Sequence, residues 1–320
     1  MTDERLLERA LELAERGRGT TAPNPVVGAV LARDGVVVGE GWHERPGGPH
    51  AEVVALEAAG ERARGATLYV TLEPCAHHGR TPPCADAVAA AGVARVVAAV
   101  GDPDPRTDGA GFARLRAAEV EVELVGGELE WRARVQNEAF RTWAALGWPF
   151  VLCKMAVTLD GRVTVPGSRW VSGEESRRRV HELRARMDAV GVGLGTVRAD
   201  EPSLTARDVG AERQPRRLAF GRGPLPEGSE LELRSGPLEE ELTQLAEEGV
   251  QSLLLEGGPT LATAFVAGGL VDRLLLFVAP TIAGSGPRFL GELPDARPLL
   301  HASAERLGDD VLLSGYLREP

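Results

Sequence analysis

The sequence has little cysteine, no excess of basic charge and no long apolar segment, and each shortage excludes a class of protein. Three cysteines among 320 residues are too few for a disulfide framework, so we expect a reducing, cytoplasmic location. The formal net charge of −11 argues against nucleic-acid binding, because contacts with phosphates require a basic surface. No apolar run is long enough to span a membrane, and the first residues, Met1 to Arg5, do not resemble a signal peptide. We therefore expect small-molecule partners, with no nucleic acid and no membrane.

Lysine is also scarce. Lys154 is the only lysine, so all but one of the 36 basic residues are arginine. Lysine carries a compact, adjustable ammonium and arginine a fixed planar fork, so the two are not interchangeable. A single lysine in such a chain favours a functional role for Lys154; a surface lysine at a strand end is the alternative.

Two of the three cysteines follow a histidine-containing motif. His50 and Glu52, separated by one alanine, precede a Pro-Cys pair ending at Cys75, and Cys84 follows. One imidazole and two thiolates are enough for a zinc site whose open fourth position holds a reactive water. A His-x-Glu motif followed by Pro-Cys is typical of zinc-dependent base deaminases, in which the glutamate transfers protons and is not a ligand. The sequence therefore predicts zinc at His50, Cys75 and Cys84, with Glu52 as the catalytic acid and base.

A closed structural zinc site is the alternative interpretation. His77 or His78, in the long loop between the two cysteines, would then supply a fourth ligand. A carboxylate next to the ligand histidine is unusual for a structural site and favours the catalytic interpretation.

Helical and strand patterns alternate along the chain, which indicates layered α/β sheets. In the first half, the pattern predicts helices at 3–16, 49–59 and 111–118, and a further helix that starts near residue 84. It predicts strands at 26–31, 36–41, 67–72, 95–100 and 120–125. The second half predicts helices at 174–187 and after 258, strands at 150–157, 189–194, 217–220, 252–255, 273–278 and 311–316, and a Gly/Pro-rich connection at 221–236. The length predicts two domains, which we place at 1–145 and 146–320. The metal-binding segments then lie at helix N-termini, where the helix dipole favours thiolates.

Several segments resemble the bifunctional deaminase/reductase of riboflavin biosynthesis. In the first half they are Thr21–Gly28, His50–Val53 and Tyr69–Cys84; in the second half they are Lys154–Arg162, Ser168–Ser172, Gly195–Arg207 and Glu256–Ala262. The resemblance covers essentially the whole chain. It implies a cytidine-deaminase-like α/β/α domain, followed by an α/β domain with a dihydrofolate-reductase-like fold.

The resemblance also implies two reactions. Zinc-bound hydroxide would remove the 2-amino group of 2,5-diamino-6-(5-phosphoribosylamino)pyrimidin-4-one, with Glu52 transferring the protons. NADPH would then reduce the ribosyl group of 5-amino-6-(5-phosphoribosylamino)uracil to ribityl. Enzymes of this shape commonly form symmetric assemblies, so we expect a homo-oligomer, either a dimer or a tetramer.

Residue roles follow from the same resemblance. In the deaminase, Asn24 would bind substrate, although a turn residue is an equal alternative, and the same pocket would include His43, His77, His78 and Arg80. In the reductase, the substrate residues would be Ser168, Arg184, Leu204, Arg207 and Glu256. The cofactor residues would be Lys154, Trp170, Thr196, Asp200, Gly258, Pro259, Thr260, Leu261, Ala262, Thr263 and Ala264. By itself, a Gly-Gly pair before a helix also fits an ordinary tight turn.

One position departs from the family pattern. After the strand at 217–220 the family usually has an acidic residue and a small hydroxyl residue, whereas this chain has Gly221 and Arg222. Arg222 would suit the 2′-phosphate of NADPH; a rearranged cofactor loop is the alternative.

Two other functions remain possible from the sequence. One is a zinc-dependent deaminase of a nucleoside or an RNA base with an accessory C-terminal domain, which the acidic charge and the Arg184–Arg207 pair disfavour. The other is a zinc-stabilised binding module without catalysis.

Overall fold

The structure, a computed structural model, describes residues 1–77 and 82–320. The chain divides into two units, Met1–Leu146 and Gly147–Pro320. This division falls one residue beyond the boundary expected from the sequence. No described helix has both the length and the apolar character needed to cross a membrane.

The first unit has a five-stranded sheet covered by helices on both faces. Its strands are β1 (Gly28–Arg33), β2 (Val36–Trp42), β3 (Thr67–Val70), β4 (Arg95–Ala98) and β5 (Glu121–Leu124). Its helices are α1 (Asp3–Glu15), α2 (Ala51–Ala59), α3 (Cys84–Ala90), α4 (Ala110–Ala117), α5 (Glu128–Gln136) and α6 (Glu138–Leu146), and a short 3-10 helix spans Gly60–Ala63. The strand order is β2-β1-β3-β4-β5. Strands β3, β4 and β5 are parallel, and β1 is antiparallel to both of its neighbours.

Alternating side chains of the strands enter two separate cores. Ala29 and Leu31 of β1 pack with α2, α3 and α4 on one face. Val30 and Ala32 of the same strand pack with α1 and α5 on the other face. This alternation follows from the two-residue repeat of a strand, and it gives the expected α/β/α layers.

The second unit has an eight-stranded mixed sheet. Its strands are β6 (Phe150–Thr158), β7 (Ala189–Gly193), β8 (Arg216–Phe220), β9 (Glu232–Arg234), β10 (Ser252–Glu256), β11 (Arg273–Ala279), β12 (Leu300–Leu307) and β13 (Asp310–Tyr316). Its helices are α7 (Glu174–Arg186), α8 (Leu194–Asp200), α9 (Leu238–Glu247) and α10 (Pro259–Ala267). The order is β12-β13-β11-β6-β10-β7-β8-β9, and the pairs from β11 to β9 are all parallel. The nearly unbroken apolar sequences of β6 and β10 fit strands that are buried on both faces.

The structure corrects the connection that was expected at 221–236. It contains the short edge strand β9, in which Arg234 is 7% exposed and forms ion pairs with Glu232, Glu241 and Glu248. Glu241 and Glu248 lie outside the strand, and β9 is only three residues long, so sequence periodicity gave no sign of it.

Candidate active sites

Three predicted zinc ligands lie together in the first unit. The donor atoms of His50, Cys75 and Cys84 are all within 4.8 Å of one another. His50 Nδ1 is 3.1 Å from Cys84 Sγ and 3.6 Å from Cys75 Sγ. Tetrahedral zinc with ordinary bond lengths requires nitrogen–sulfur separations of about 3.6 Å. The donor set fits a zinc ion held through Nδ1 of His50 and two sulfurs; the separation from Cys75 Sγ matches this geometry, and that from Cys84 Sγ is shorter.

The N-termini of two helices and one loop bring these three ligands together. His50 is the N-cap residue of α2, and Cys84 is the first residue of α3. Cys75 lies in the loop after β3, and its sulfur accepts a hydrogen bond from the Cys84 backbone N–H at 3.3 Å. A hydrogen bond from the Cys84 thiol is the main cause that lowers the pKa of Cys75 to about 4. The Cys84 backbone N–H, at the start of α3, also lowers the pKa of Cys75 and so adds to the preference for the thiolate form that a metal requires.

Glu52 lies beside the ligands in the first turn of α2 and is 3% exposed. Burial raises the pKa of its carboxyl group to about 7. Within residues 1–77 and 82–320, the only group of side chains able to hold a metal is His50, Cys75 and Cys84. Glu52 is outside that group, as expected of a proton-transferring residue that is not a ligand.

Asn24 and His43 form a pair at the edge of the same site. Asn24 Nδ2 is 3.0 Å from His43 Nε2, and His43 Nδ1 is 3.1 Å from the Pro49 carbonyl oxygen. With the amide donating to Nε2, the neutral imidazole donates from Nδ1 to Pro49. Burial lowers the pKa of His43, which favours this neutral form. The contact leaves Oδ1 of Asn24 as the atom able to accept from a ligand.

A cavity of about 350 Å³ contains these groups. His77 also lines it, and its Nδ1 is 3.3 Å from the Thr107 hydroxyl. His78 and Arg80, which were expected in the pocket, lie outside the described residues. The cavity accommodates a small ring together with a sugar, rather than a folded macromolecule.

Sequence reasoning missed part of the cavity wall. Glu73, Asp102, Asp104, Arg106 and Phe140 all line it. A signal was available for the acidic ones, because Glu73 follows β3, Asp102 follows β4, and these two strands are parallel. Side chains after the carboxyl ends of parallel neighbours meet at one sheet edge.

The second unit contains a largely buried charged cluster formed by Lys154, Arg184 and Glu256. Their side chains are 10–16% exposed. Lys154 and Glu256 are paired across β6 and β10, and Lys154 Nζ is 3.6 Å from Glu256 Oε2. Arg184 binds both carboxylate oxygens, at 2.5 and 3.0 Å, and donates to the Thr205 carbonyl oxygen at 3.1 Å. Although burial acts in the opposite direction, the positive charges of Lys154 and Arg184 lower the pKa of Glu256.

The other expected substrate residues differ in accessibility. Arg207 is exposed and donates to the hydroxyl groups of Ser203 and Thr205. The Ser168 hydroxyl donates to the Trp170 carbonyl oxygen at 2.8 Å. Leu204 is 2% exposed, so its side chain packs mainly inside the protein.

The expected cofactor residues lie mainly after parallel strands. Helix α8, with Thr196 and Asp200, follows β7, whereas α10 follows β10 and begins with Gly258 as N-cap and Pro259 in the first turn. A Cβ atom on Gly258 would lie 3.2 Å from Thr196 Oγ1, so these two helix starts are close together. Arg222 follows β8 and is exposed.

The expected cofactor residues within α10 differ in how accessible their side chains are. Thr260 and Ala264 are exposed, and Leu261 is half-buried. The Thr263 hydroxyl donates to the Pro259 carbonyl oxygen at 2.6 Å. Ala262 is fully buried in the core, so its side chain supports the helix rather than reaching a ligand. Trp170 lies in the loop before α7, 53% exposed, with the Arg169 and Arg177 guanidinium groups over its ring.

Comparisons with known proteins match both units. Residues 1–100 match the family described as the cytidine and deoxycytidylate deaminase zinc-binding region, and residues 149–313 match the RibD C-terminal domain. The riboflavin biosynthesis protein RibD of Aquifex aeolicus is 40% identical, with 97% of each chain covered. RibD of Escherichia coli is 39% identical, with 98% of this chain and 99% of the other covered.

Two solved structures are similar over 98% of both chains. Acinetobacter baumannii RibD is 36% identical, with a TM-score of 0.84. A diaminohydroxyphosphoribosylaminopyrimidine deaminase/5-amino-6-(5-phosphoribosylamino)uracil reductase from Thermotoga maritima is 35% identical, with a TM-score of 0.82.

The geometry predicts the effect of removing one sulfur ligand. We expect purified protein to hold about one zinc ion per chain, and Cys84→Ala to lose most of it because two ligands remain. Cys153→Ala is the matched control, since Cys153 is equally buried but lies in the core of the second unit. Metal analysis by plasma mass spectrometry measures both; equal zinc loss from the two variants would contradict the assignment.

Proposed function

The chain belongs to the RibD family of riboflavin-biosynthesis enzymes, and from that premise we propose how each of its units acts. The protein is a bifunctional deaminase and reductase that uses Zn²⁺ and NADPH. We assign deamination to the first unit and reduction to the second. The observation that carries the first assignment is a three-ligand metal group beside a buried carboxylate in one cavity.

The first unit would deaminate 2,5-diamino-6-(5-phosphoribosylamino)pyrimidin-4-one at its 2-amino group. Bound zinc supplies a water of lowered pKa as the nucleophile. Glu52 takes a proton from the attacking water and gives it to the departing amino group, so a carbon–nitrogen bond breaks, a carbon–oxygen bond forms and ammonia leaves. Asn24 accepts a hydrogen bond from the substrate through Oδ1, because its amide N–H is directed to His43.

The second unit would reduce the ribosyl group of the deaminated product. NADPH supplies the hydride for the anomeric carbon, and the ring oxygen takes a proton, which gives the ribityl chain. Lys154 is placed to donate to the sugar oxygens, since Glu256 holds its ammonium from the neighbouring strand. Thr196 and the first turn of α10 offer donors for the cofactor phosphates.

The two expected phosphate ligands, Arg184 and Arg207, differ in how many hydrogen bonds their guanidinium groups already make within the protein. All three guanidinium nitrogens of Arg184 donate to Glu256 or Thr205. Arg207 is exposed and bonds only hydroxyl groups among the described residues, apart from its backbone N–H contact with His181. We therefore assign the substrate phosphate mainly to Arg207, and give Arg184 the role of holding Glu256.

Location and assembly remain predictions. None of the three cysteines forms a disulfide, which supports the proposed cytoplasmic location. A homo-oligomer, dimer or tetramer, is proposed from the symmetry common among enzymes of this size. Nucleic acid and membranes are not proposed as partners.

Substrate choice separates this proposal from a nucleoside deaminase. We expect ammonia release from the phosphorylated diaminopyrimidinone and little or none from cytidine, measured with a coupled ammonia assay under the same conditions. Faster release from cytidine would favour the alternative, with the second unit as an accessory domain.

Glu52→Gln tests the proton transfer. We expect ammonia release to fall by about 10²–10⁴-fold, because the amide cannot carry the proton, while the zinc content stays unchanged. NADPH oxidation with the deaminated substrate should continue at the wild-type rate, which serves as the control for folding. Full deaminase turnover in this variant would refute the role of Glu52.

Lys154→Arg tests the second site. A planar guanidinium cannot occupy the position of the ammonium beside Glu256, so we expect NADPH oxidation to slow by roughly 10- to 100-fold. Arg178→Lys, at a side chain 75% exposed, is the reciprocal control and should keep the wild-type rate. An unaffected Lys154→Arg variant would mean that the Lys154 ammonium takes no part in the reduction.

A further inference from the structure

Glu73 is a buried carboxylate to which the mechanism assigns no role. It lies two residues before Cys75 and is 3% exposed. Its Oε2 accepts backbone N–H groups of Asp102 at 3.3 Å and Gly109 at 3.1 Å. Its Oε1 accepts those of Gly111 at 2.9 Å and Phe112 at 3.2 Å. Four N–H donors therefore converge on one side chain.

The N-terminus of α4 supplies the favourable electrostatics. Gly109 is the N-cap residue of α4, and Gly111 and Phe112 lie in its first turn. The first N–H groups of a helix have no partners within the helix, and the dipole there attracts negative charge. A buried carboxylate normally requires a paired cation or several hydrogen bonds. Within the described residues, backbone N–H groups provide all the hydrogen bonds that Glu73 accepts.

The same helix contacts the chain on the other side of Cys75. Arg114 of α4 donates from Nη1 to the Ala76 carbonyl oxygen at 2.7 Å. Its Nε is also 2.7 Å from Asp86 Oδ1, and Asp86 lies two residues after Cys84. One helix therefore contacts the residues that flank both cysteine ligands.

Close approach of α4 to this segment depends on a glycine. A Cβ atom on Gly111 would lie 1.9 Å from the Pro74 carbonyl oxygen. No other residue fits there without moving the helix away from the peptide that precedes Cys75. The contact between α4 and the ligand segment is thus direct, backbone against backbone.

We propose that Glu73 is a positioning residue for the metal site, with Arg114 of the same helix as a weaker second anchor. Its carboxylate fixes α4 against the Pro74–Ala76 segment and so sets the position of the Cys75 sulfur relative to His50 and Cys84. Through the Asp102 N–H it also holds the segment after β4, which lines the same cavity. This inference rests on the proposed zinc ligation by His50, Cys75 and Cys84.

Glu73→Gln separates positioning from simple stabilisation. A glutamine has the same shape and its oxygen still accepts two N–H groups, but its NH₂ group faces the other two donors, which repel it. The segment before Cys75 must then shift. Replacing a residue that orients the metal ligands without binding the metal itself typically changes metal affinity by about 10–100-fold.

The experiment uses the full chain and measures metal binding rather than deamination. Zinc affinity is measured by competition with a chromophoric chelator, and the site geometry by the visible absorption of the cobalt(II)-substituted protein. We expect Glu73→Gln to weaken zinc binding by at least about tenfold and to alter the cobalt spectrum. Arg114→Ala should show a smaller change in the same direction, because its side chain is 45% exposed.

Two controls keep the result specific. Arg116→Ala removes an exposed arginine from the same helix whose described contact is the Phe112 ring, and Glu119→Gln removes an exposed carboxylate after the helix. Both should keep the wild-type zinc affinity and cobalt spectrum. NADPH oxidation with the deaminated substrate reports on the intact second unit in every variant.

The outcomes are distinct. A lower thermal unfolding midpoint in Glu73→Gln with unchanged zinc affinity and cobalt spectrum would overturn the proposal and leave Glu73 a structural role only. If Glu73→Gln does not fold, Arg114→Ala decides by the same two measurements, because it keeps all four N–H contacts of Glu73. Wild-type protein that binds neither zinc nor cobalt would instead refute the proposed function.

Discussion

Both candidate sites depend on parallel strand pairing, because parallel neighbours end at the same edge of a sheet. In the first unit, β3 leads to Glu73 and Cys75, and the parallel β4 leads to Asp102. In the second unit, the register places Glu256 of β10 directly beside Lys154 of β6. Residues far apart in the sequence therefore meet without long connecting loops. In the first unit the antiparallel strand β1 starts and β2 ends at this same edge, so the adjoining segments bring Asn24 and His43 to the cavity.

Helix N-termini then determine which charges each edge holds. His50, Cys84 and three of the four N–H donors to Glu73 lie at the start of a helix, where unpaired N–H groups favour negative charge. At the start of α3 the Cys84 N–H donates to the Cys75 sulfur, and at the start of α4 the Gly111 N–H donates to the Glu73 carboxylate in the same way.

The sequence predicted most elements and the ligand group, because these depend on local pattern or on residue type. The hairpin of β1 and β2 and the apolar strands β6 and β10 have clear periodicity, and metal chemistry restricts ligands to a few residue types. Strands β9 and β12 and helices α5, α6, α8 and α9 were not predicted. Strand β12 is exposed along nearly its whole length, so it lacks the apolar alternation that marks a strand. Helices α6 and α9 do have amphipathic sequences, which were overlooked. The contacts of Glu73 were not predictable. Backbone N–H groups occur in almost every residue, so nothing in the sequence marks Gly109 or Gly111 as donors to a carboxylate.

The charged cluster of the second unit shows why a residue type alone does not assign a ligand. Arginine suits phosphate, and Arg184 satisfies that pattern, but the structure directs its fork to Glu256. A phosphate that took Arg184 away would leave a carboxylate only 10% exposed with Lys154 as its remaining cation at 3.6 Å. Removing a charged partner from a buried carboxylate is destabilising, whereas an exposed ion pair contributes only about 0–1 kcal/mol. This comparison supports the proposed roles, in which Arg184 stays on Glu256, the shared carboxylate holds Lys154 in place and Arg207 binds the phosphate.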